Sequence, residues 1–230
     1  MKTLKSLFVA SLAFASSLAA RAESRAQAWL ESYYINPQPE QLAANVRALS
    51  REGYFEKPGH TALAIGFLAT VFEKNPQEVD RWLVELNGLP LKHNRLLAAA
   101  LWQAGHPMGN ELLRQMGEDS PYRQEVLNLA SMPAQSISNT SVRSPSSMNL
   151  QWGAFLASGN ETHIVSILEA LGNGERRLDS AARVALAQNA ATHPRVLEIC
   201  RTQLERQPEE VRSVLRAALQ DAGVPAKPRS

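Results

Sequence analysis

The sequence predicts an all-α protein built from antiparallel helix pairs that stack as a degenerate α-solenoid. Apolar residues recur at spacings of three and four, as in Leu42, Val46 and Leu49, which places them on one side of a helix. Prolines mark helix starts and glycines mark helix ends. These starts recur about every 35 to 45 residues, the length of one helical hairpin in a solenoid repeat. A compact helical bundle is the alternative.

The chain begins with the three-part layout of a secretory signal peptide, residues 1–22. Lys2 and Lys5 precede an apolar run, Leu7 to Leu18, that carries no charge, and the small-residue segment Ala20-Arg21-Ala22 follows. The run is too short and too rich in Ser and Ala to favour a membrane-spanning helix. We therefore expect cleavage after this segment and export to the periplasm or beyond.

Charge and cysteine content exclude several classes of protein. The chain has 24 basic and 22 acidic residues, and loss of Lys2, Lys5 and Arg21 with the signal peptide leaves a net charge of about −1. A nearly neutral body gives no electrostatic reason to bind nucleic acid or an anionic membrane surface. Cys200 is the only cysteine, so an internal disulfide is excluded, and its apolar neighbour Ile199 predicts a buried thiol.

The N-terminal helical region is predicted to span residues 23–130. Asn36-Pro37 and Ser120-Pro121 mark helix starts here, and glycines such as Gly53 mark helix ends. In Asn75-Pro76-Gln77-Glu78, we expect Asn75 to cap a helix, Pro76 to occupy its first turn and the acid to favour its positive end. Trp82 follows on that helix.

Residues 131–147 break the helical pattern, because this stretch is dense in Ser and contains two prolines. It predicts either a linker between two helical halves or a loop that lies over a groove. A C-terminal helical region follows over residues 148–224, with an expected helix end at Gly172. The last residues, 225–230, are expected to be disordered.

The sequence contains no recognisable catalytic or metal-binding motif. No two of the five histidines stand four apart, so the helical zinc signature is absent, and there is no Gly-x-Ser-x-Gly elbow or phosphate-binding loop. We therefore predict no catalytic residue, no metal ligand and no cofactor, and we expect that the protein is not an enzyme.

Aromatic residues are the best candidates for a binding surface. The four tryptophans lie on helical patterns, where we expect them to fill gaps between helices, each indole N–H finding a partner. Adjacent residues of a helix cannot both face one core, so Tyr33 and Tyr34 predict an exposed position. Together with Tyr54, they form the predicted surface for a peptide or sugar.

Two stretches carry a resemblance, Gly66 to Phe72, with Asn75-Pro76 and Trp82 after it, and Leu150 to Asn160. They resemble a group of exported all-helical bacterial proteins with no assigned activity, whose motif reads Trp-x-x-Phe-x-Ala-Thr/Ser-Gly. There is also a broader likeness to TPR-like and HEAT-like helical repeats. The resemblance implies secretion and a helical fold, and it brings no functional residue.

The second of these motifs also predicts a tight corner between two helices. Trp152 and Phe155 lie about one turn apart on a helix that ends at Gly159, and Asn160 caps the next helix. In this sequence Ser158 occupies the Thr/Ser position of the motif. We therefore interpret the motif as structural.

These observations favour an exported protein- or peptide-binding helical scaffold in the bacterial envelope. Its partner would be another protein or a peptide, with no nucleic acid and no strong membrane association after signal cleavage. One alternative is a small-ligand carrier or enzyme with a pocket between the helical halves, where the Ser-rich loop acts as a lid. A second alternative is a structural protein that associates with itself.

Overall fold

The structure, a computed structural model, describes residues 24–224 apart from residues 107, 119, 134 and 172–175. The predicted signal peptide over residues 1–22, the predicted disordered tail over residues 225–230 and the helix end expected at Gly172 lie outside the described residues.

The all-α prediction is confirmed, because the described residues form helices and no strand. The described ranges contain twelve α-helices: α1 (Arg25–Ser32), α2 (Leu42–Arg51), α3 (His60–Lys74), α4 (Val79–Glu85), α5 (Leu91–Gln103), α6 (Gly109–Glu118), α7 (Arg123–Ser131), α8 (Pro145–Ser158), α9 (Glu161–Glu169), α10 (Arg176–Thr192), α11 (Pro194–Gln203) and α12 (Glu209–Asp221). Short 3₁₀ turns lie at Pro39–Gln41, Tyr54–Glu56, Pro76–Glu78 and Ile137–Asn139.

Helices α3 and α8 form the centre of the molecule, and each is buried on nearly all sides. A helix that is apolar all round is stable only when other elements surround it. The two backbones touch at two glycines. A Cβ atom added to Gly66 would lie 1.9 Å from the Leu150 carbonyl oxygen, and one added to Gly153 would lie 1.9 Å from that of Leu63. The sequence stretches Gly66 to Phe72 and Leu150 to Asn160 therefore face each other.

The other helices pack both as sequential pairs and around this centre. Sequential pairs such as α6 with α7 and α10 with α11 are those that a stack of hairpins contains. The contact of α3 with α8 is different, because four helices separate them along the chain. In a linear solenoid each repeat touches only its neighbours. This long-range contact is typical of the compact bundle that the sequence offers as the alternative, whereas the sequential pairs are typical of the predicted solenoid.

The corner between α8 and α9 matches its prediction. Gly159 ends α8 with a φ of 65°, a left-handed conformation that glycine adopts without a Cβ penalty. The Asn160 side chain then accepts a hydrogen bond from the Thr162 N–H and caps α9. Trp152 and Phe155 are both buried, with ring centres 6.3 Å apart.

The cap predicted at Asn75 is wrong in one respect. The Asn75 side chain makes no cap bond to the next turn, and instead donates to the Val71 carbonyl oxygen at the end of α3, at 2.8 Å. Pro76 does open a 3₁₀ turn, as expected for a residue without an N–H. Trp82 is fully buried on α4 and stacks on Phe72, with ring centres 5.9 Å apart. The motif thus joins α3 to α4.

The Ser-rich segment is shorter than the predicted 131–147, because α7 ends at Ser131 and α8 begins at Pro145. Its middle packs against the protein, since Ile137 and Val142 are buried.

Throughout the described part of the chain, no helix is long and apolar enough to cross a membrane.

Candidate functional site

The aromatic surface predicted from Tyr33, Tyr34 and Tyr54 is not formed. Tyr33 and Tyr54 are each only 3% exposed and belong to the core. Tyr34 is half-buried, and its hydroxyl lies 3.4 Å from His193 Nδ1. Burial raises the pKa of Tyr33 to about 12, with a smaller contribution from the Glu40 charge.

The predicted aromatic surface is not formed because the two tyrosines that follow α1 contact the central helices α3 and α8. The Tyr33 ring packs edge-on against Phe67 of α3, with centres 5.1 Å apart. The Tyr34 ring faces the other way and packs on Phe155 of α8, at 5.2 Å. Adjacent aromatic residues therefore both find apolar partners, because they contact two different helices of the same core.

The expected partners of the indole N–H groups are also not found. The indole nitrogens of all four tryptophans are buried, and none has a hydrogen-bond partner among the described residues. The rings of Trp29, Trp82 and Trp152 pack against other aromatic rings instead, as Trp29 does against Tyr33 and Phe67 at 5.3 and 5.4 Å. Edge-to-face contacts of this kind stabilise a core beyond the area that they bury.

An apolar groove lies between α3, α5 and α7, and we call it the three-helix groove. Its volume is about 350 Å³. The floor is aliphatic and comes from all three helices, with residues Ile65, Leu96, Ala99, Val126 and Leu129. Ile65, Ala99 and Leu129 remain half-exposed, so these side chains are available to a molecule that enters the groove.

The rim of the three-helix groove carries charges that are paired with each other. Arg95 of α5 forms an ion pair with Glu125 of α7, and its guanidinium stacks 4.7 Å from the Tyr122 ring centre. Lys92 pairs with Glu56, and the hydrogen bond from Lys92 is the main reason why the pKa of that carboxyl lies below its usual range. The groove therefore combines an apolar floor with a rim of no net charge.

Ser50, His93 and Glu56 form a hydrogen-bonded chain next to this rim. The Ser50 hydroxyl lies 2.8 Å from His93 Nδ1, and His93 Nε2 lies 3.1 Å from the Glu56 carboxylate. A serine–histidine–acid chain is the arrangement of many hydrolases, but that chemistry also needs N–H donors for an oxyanion. Ser50 lies in the last turn of α2, where the backbone offers carbonyl acceptors. We interpret the chain as a structural link between α2 and α5.

A second polar cluster holds the Ser-rich loop against α8. The buried Gln151 side-chain nitrogen donates to the carbonyl oxygens of Ile137 and Thr140, at 3.2 and 2.7 Å. Its oxygen lies 2.7 Å from His163 Nδ1 and accepts from it. Burial, with a smaller contribution from the Lys74 charge, lowers the pKa of His163 to about 4. His163 is therefore neutral at pH 7 and acts as a hydrogen-bond donor in the core.

The remaining titratable groups do not form a metal site. Within the described ranges, no three His, Cys, Asp or Glu side chains are placed to hold a metal ion. Burial lowers the pKa of His60 and of His193. The Cys200 thiol is buried as predicted, and burial raises its pKa to about 12.

Sequence reasoning missed the three-helix groove because its floor comes from three separate helices. One signal was present, since Ile65, Ala99 and Leu129 are partly exposed apolar residues that lie beside buried positions on their helices. Such residues are ordinary on a helix, and only the packing of α3, α5 and α7 brings them to one recess.

Comparisons of this chain with protein-family models, with curated proteins and with solved structures give no match.

Proposed function

We propose that this protein is an exported helical scaffold that binds a short apolar segment of another protein in the three-helix groove. The observation that carries the proposal is the aliphatic floor shared by Ile65, Ala99 and Leu129, which three separate helices bring together in one recess and leave partly exposed. Exposed apolar surface of this kind is typical of interaction sites.

The length and the charge of the three-helix groove indicate which kind of segment it would bind. Its wall from Lys92 to Ala99 is about 10 Å long, at about 1.5 Å per residue, which fits two turns of a helix or a few extended residues. Because the rim charges Arg95 and Glu125 already neutralise each other, a segment without net charge fits best. We therefore expect an amphipathic helix or a short apolar strand, bound through side chains that enter the groove.

Site-specific photocrosslinking in the source cells tests this function. A benzophenone side chain placed at Ala99 should form an adduct that maps to an apolar segment of a second protein. A synthetic peptide of that segment should then bind the purified protein, and Ala99→Trp, which fills the groove, should abolish binding. Ala44→Trp is the matched control, because Ala44 is exposed on α2 and lies outside the groove.

Three outcomes would contradict the proposal. The first is equal crosslinking from positions 99 and 44, and the second is peptide binding that survives Ala99→Trp. The third is an adduct formed only between two copies of this chain, which would favour the self-associating alternative. Export is tested in the same cells, since N-terminal sequencing of the envelope fraction should give a chain that begins near Glu23.

A further inference from the structure

A polar recess lies between the Ser-rich loop and α9, apart from the three-helix groove. Its volume is about 380 Å³, within the range of small-molecule sites, about 300 to 1,000 Å³. Hydroxyl groups line both sides, with Ser138 and Ser141 on the loop and Ser166 on α9. None of these three hydroxyls makes a hydrogen bond to another described residue, so all three are available to a ligand.

The recess carries one cationic and one anionic side chain on separate walls. Arg143 belongs to the loop, and Glu169 is the last residue of α9. Among the described residues, neither charge has an oppositely charged partner within 4.0 Å. The C-terminal end of α9 adds partial negative charge beside Glu169, which further favours a cation on that wall.

Hydrogen bonds with side chains of α5 and α8 hold the loop wall of the recess in place. Gln151 of α8 donates to the Ile137 and Thr140 carbonyl oxygens, and the Thr140 hydroxyl donates to the Gln103 side chain at 3.2 Å. The Arg143 N–H donates to the Ser147 hydroxyl at 2.9 Å. A wall fixed in this way lowers the entropy cost of binding, because the ligand does not have to order the loop.

We propose that this recess binds a small zwitterion, a free α-amino acid or a dipeptide with both termini free. The ligand carboxylate pairs with the Arg143 guanidinium, and its ammonium group pairs with Glu169 at the negative end of α9. The serine hydroxyls hydrogen-bond the atoms between the two charges. A sugar fits less well, because none of the residues that line the recess is aromatic and could cover the apolar face of a sugar ring.

An NMR titration of the ¹⁵N-labelled protein with L-alanyl-L-alanine tests the proposal. We expect saturable shifts of the backbone amides of residues 138–143 and 166–170, with a dissociation constant in the millimolar range. The matched control ligand is the same dipeptide acetylated at its N-terminus and amidated at its C-terminus, which lacks both charges and should produce no such shifts.

Variants of the two charged residues separate this site from a general effect of charge. Arg143→Gln and Glu169→Gln should each weaken binding about threefold to tenfold. Arg51→Gln removes an exposed positive charge from α2 and should leave binding unchanged. Ala99→Trp should also leave dipeptide binding unchanged. The dipeptide site and the proposed function of the three-helix groove are therefore tested independently of each other.

The proposal is overturned by any of three results. No shift of these amides at about 20 mM dipeptide would exclude a site of useful affinity. Equal shifts with the capped dipeptide would show that the charges are not recognised. Equal weakening by Arg51→Gln and Arg143→Gln would show that only the net charge of the protein matters.

Discussion

Replacement of Gly153 by alanine tests the central packing of the fold most directly. In most helices this change stabilises, since alanine has a better helix propensity than glycine by about 1 kcal/mol. At Gly153 the new Cβ atom would lie 1.9 Å from the Leu63 carbonyl oxygen and 2.7 Å from the Phe67 nitrogen. Both are backbone atoms of α3, so no flexible side chain can move aside.

The size of the loss follows from how far the helices must separate. Ordinary van der Waals contacts of a Cβ atom begin near 3.4 Å, so α3 and α8 must move apart by about 1.5 Å at the crossing. Overpacking of a core typically costs about 1 to 3 kcal/mol, and here the shift opens the contacts along two fully buried helices. Because backbone atoms must move by this distance, we place the gross cost above the typical range, at about 3 to 5 kcal/mol, and subtraction of the propensity gain of about 1 kcal/mol leaves an expected net loss of about 2 to 4 kcal/mol.

Urea unfolding followed by far-UV circular dichroism measures this loss. Gly117→Ala is the matched control, because Gly117 is also helical and buried, but its added Cβ would meet only side-chain atoms at 3.5 to 3.7 Å. We expect the control to be neutral or to gain up to about 1 kcal/mol. A Gly153→Ala protein as stable as the unmodified chain, with an unchanged slope against urea, would refute the close crossing.

The reciprocal change strengthens the test. Gly66→Ala would place its Cβ atom 1.9 Å from the Leu150 carbonyl oxygen, so it should destabilise by a similar amount. Because both glycines lie at one crossing, the first alanine already separates the helices. The double variant should therefore lose less than the sum of the two single losses.

Three further predictions concern buried polar groups. The pKa of His163, lowered by burial to about 4, lies below that of an unfolded histidine, about 6.5, so the unfolded chain binds more protons between these pH values. The contribution of neutral His163 to the free energy of unfolding is complete above pH 6.5, and it should fall by about 3 kcal/mol as the pH falls to 4. His163→Asn keeps a donor for Gln151 but does not titrate. Urea unfolding at a series of pH values should therefore show a smaller loss of stability for this variant. Gln151→Leu should cost about 3 kcal/mol or more, because it leaves buried backbone acceptors unpaired, and hydrogen exchange of residues 137–143 should accelerate. Cys200 should react with a thiol reagent only after denaturation, since burial raises its pKa to about 12.

Features set by local chemistry could be predicted from the sequence. The corner at Gly159 and Asn160 depends on a left-handed residue and a capping side chain within a few positions, and both are found. The burial of Cys200 follows from the apolar residues of its own helix. The all-α class and a helix end such as Gly159 can therefore be predicted, because their causes lie within one or two turns.

Features that depend on contacts between distant helices could not be predicted. Gly66 and Gly153 each sit inside an apolar helix, where glycine alone indicates neither a crossing nor its partner. The sequence predicts Tyr33 and Tyr34 at the surface because adjacent helix residues point in different directions, whereas α3 and α8 offer each tyrosine an aromatic ring of the same core. The three-helix groove likewise depends on which helices pack side by side.

The central pair of helices connects both proposed binding sites to the stability of the core. Ile65 of α3 lines the three-helix groove, and the next residue, Gly66, touches α8. On α8, Gln151 fixes the loop wall of the polar recess, two positions before Gly153. A change at the crossing should therefore disturb both sites together, whereas Ala99→Trp or Arg143→Gln should disturb only one. This contrast distinguishes a rigid centre that positions two independent sites from two sites that form without it.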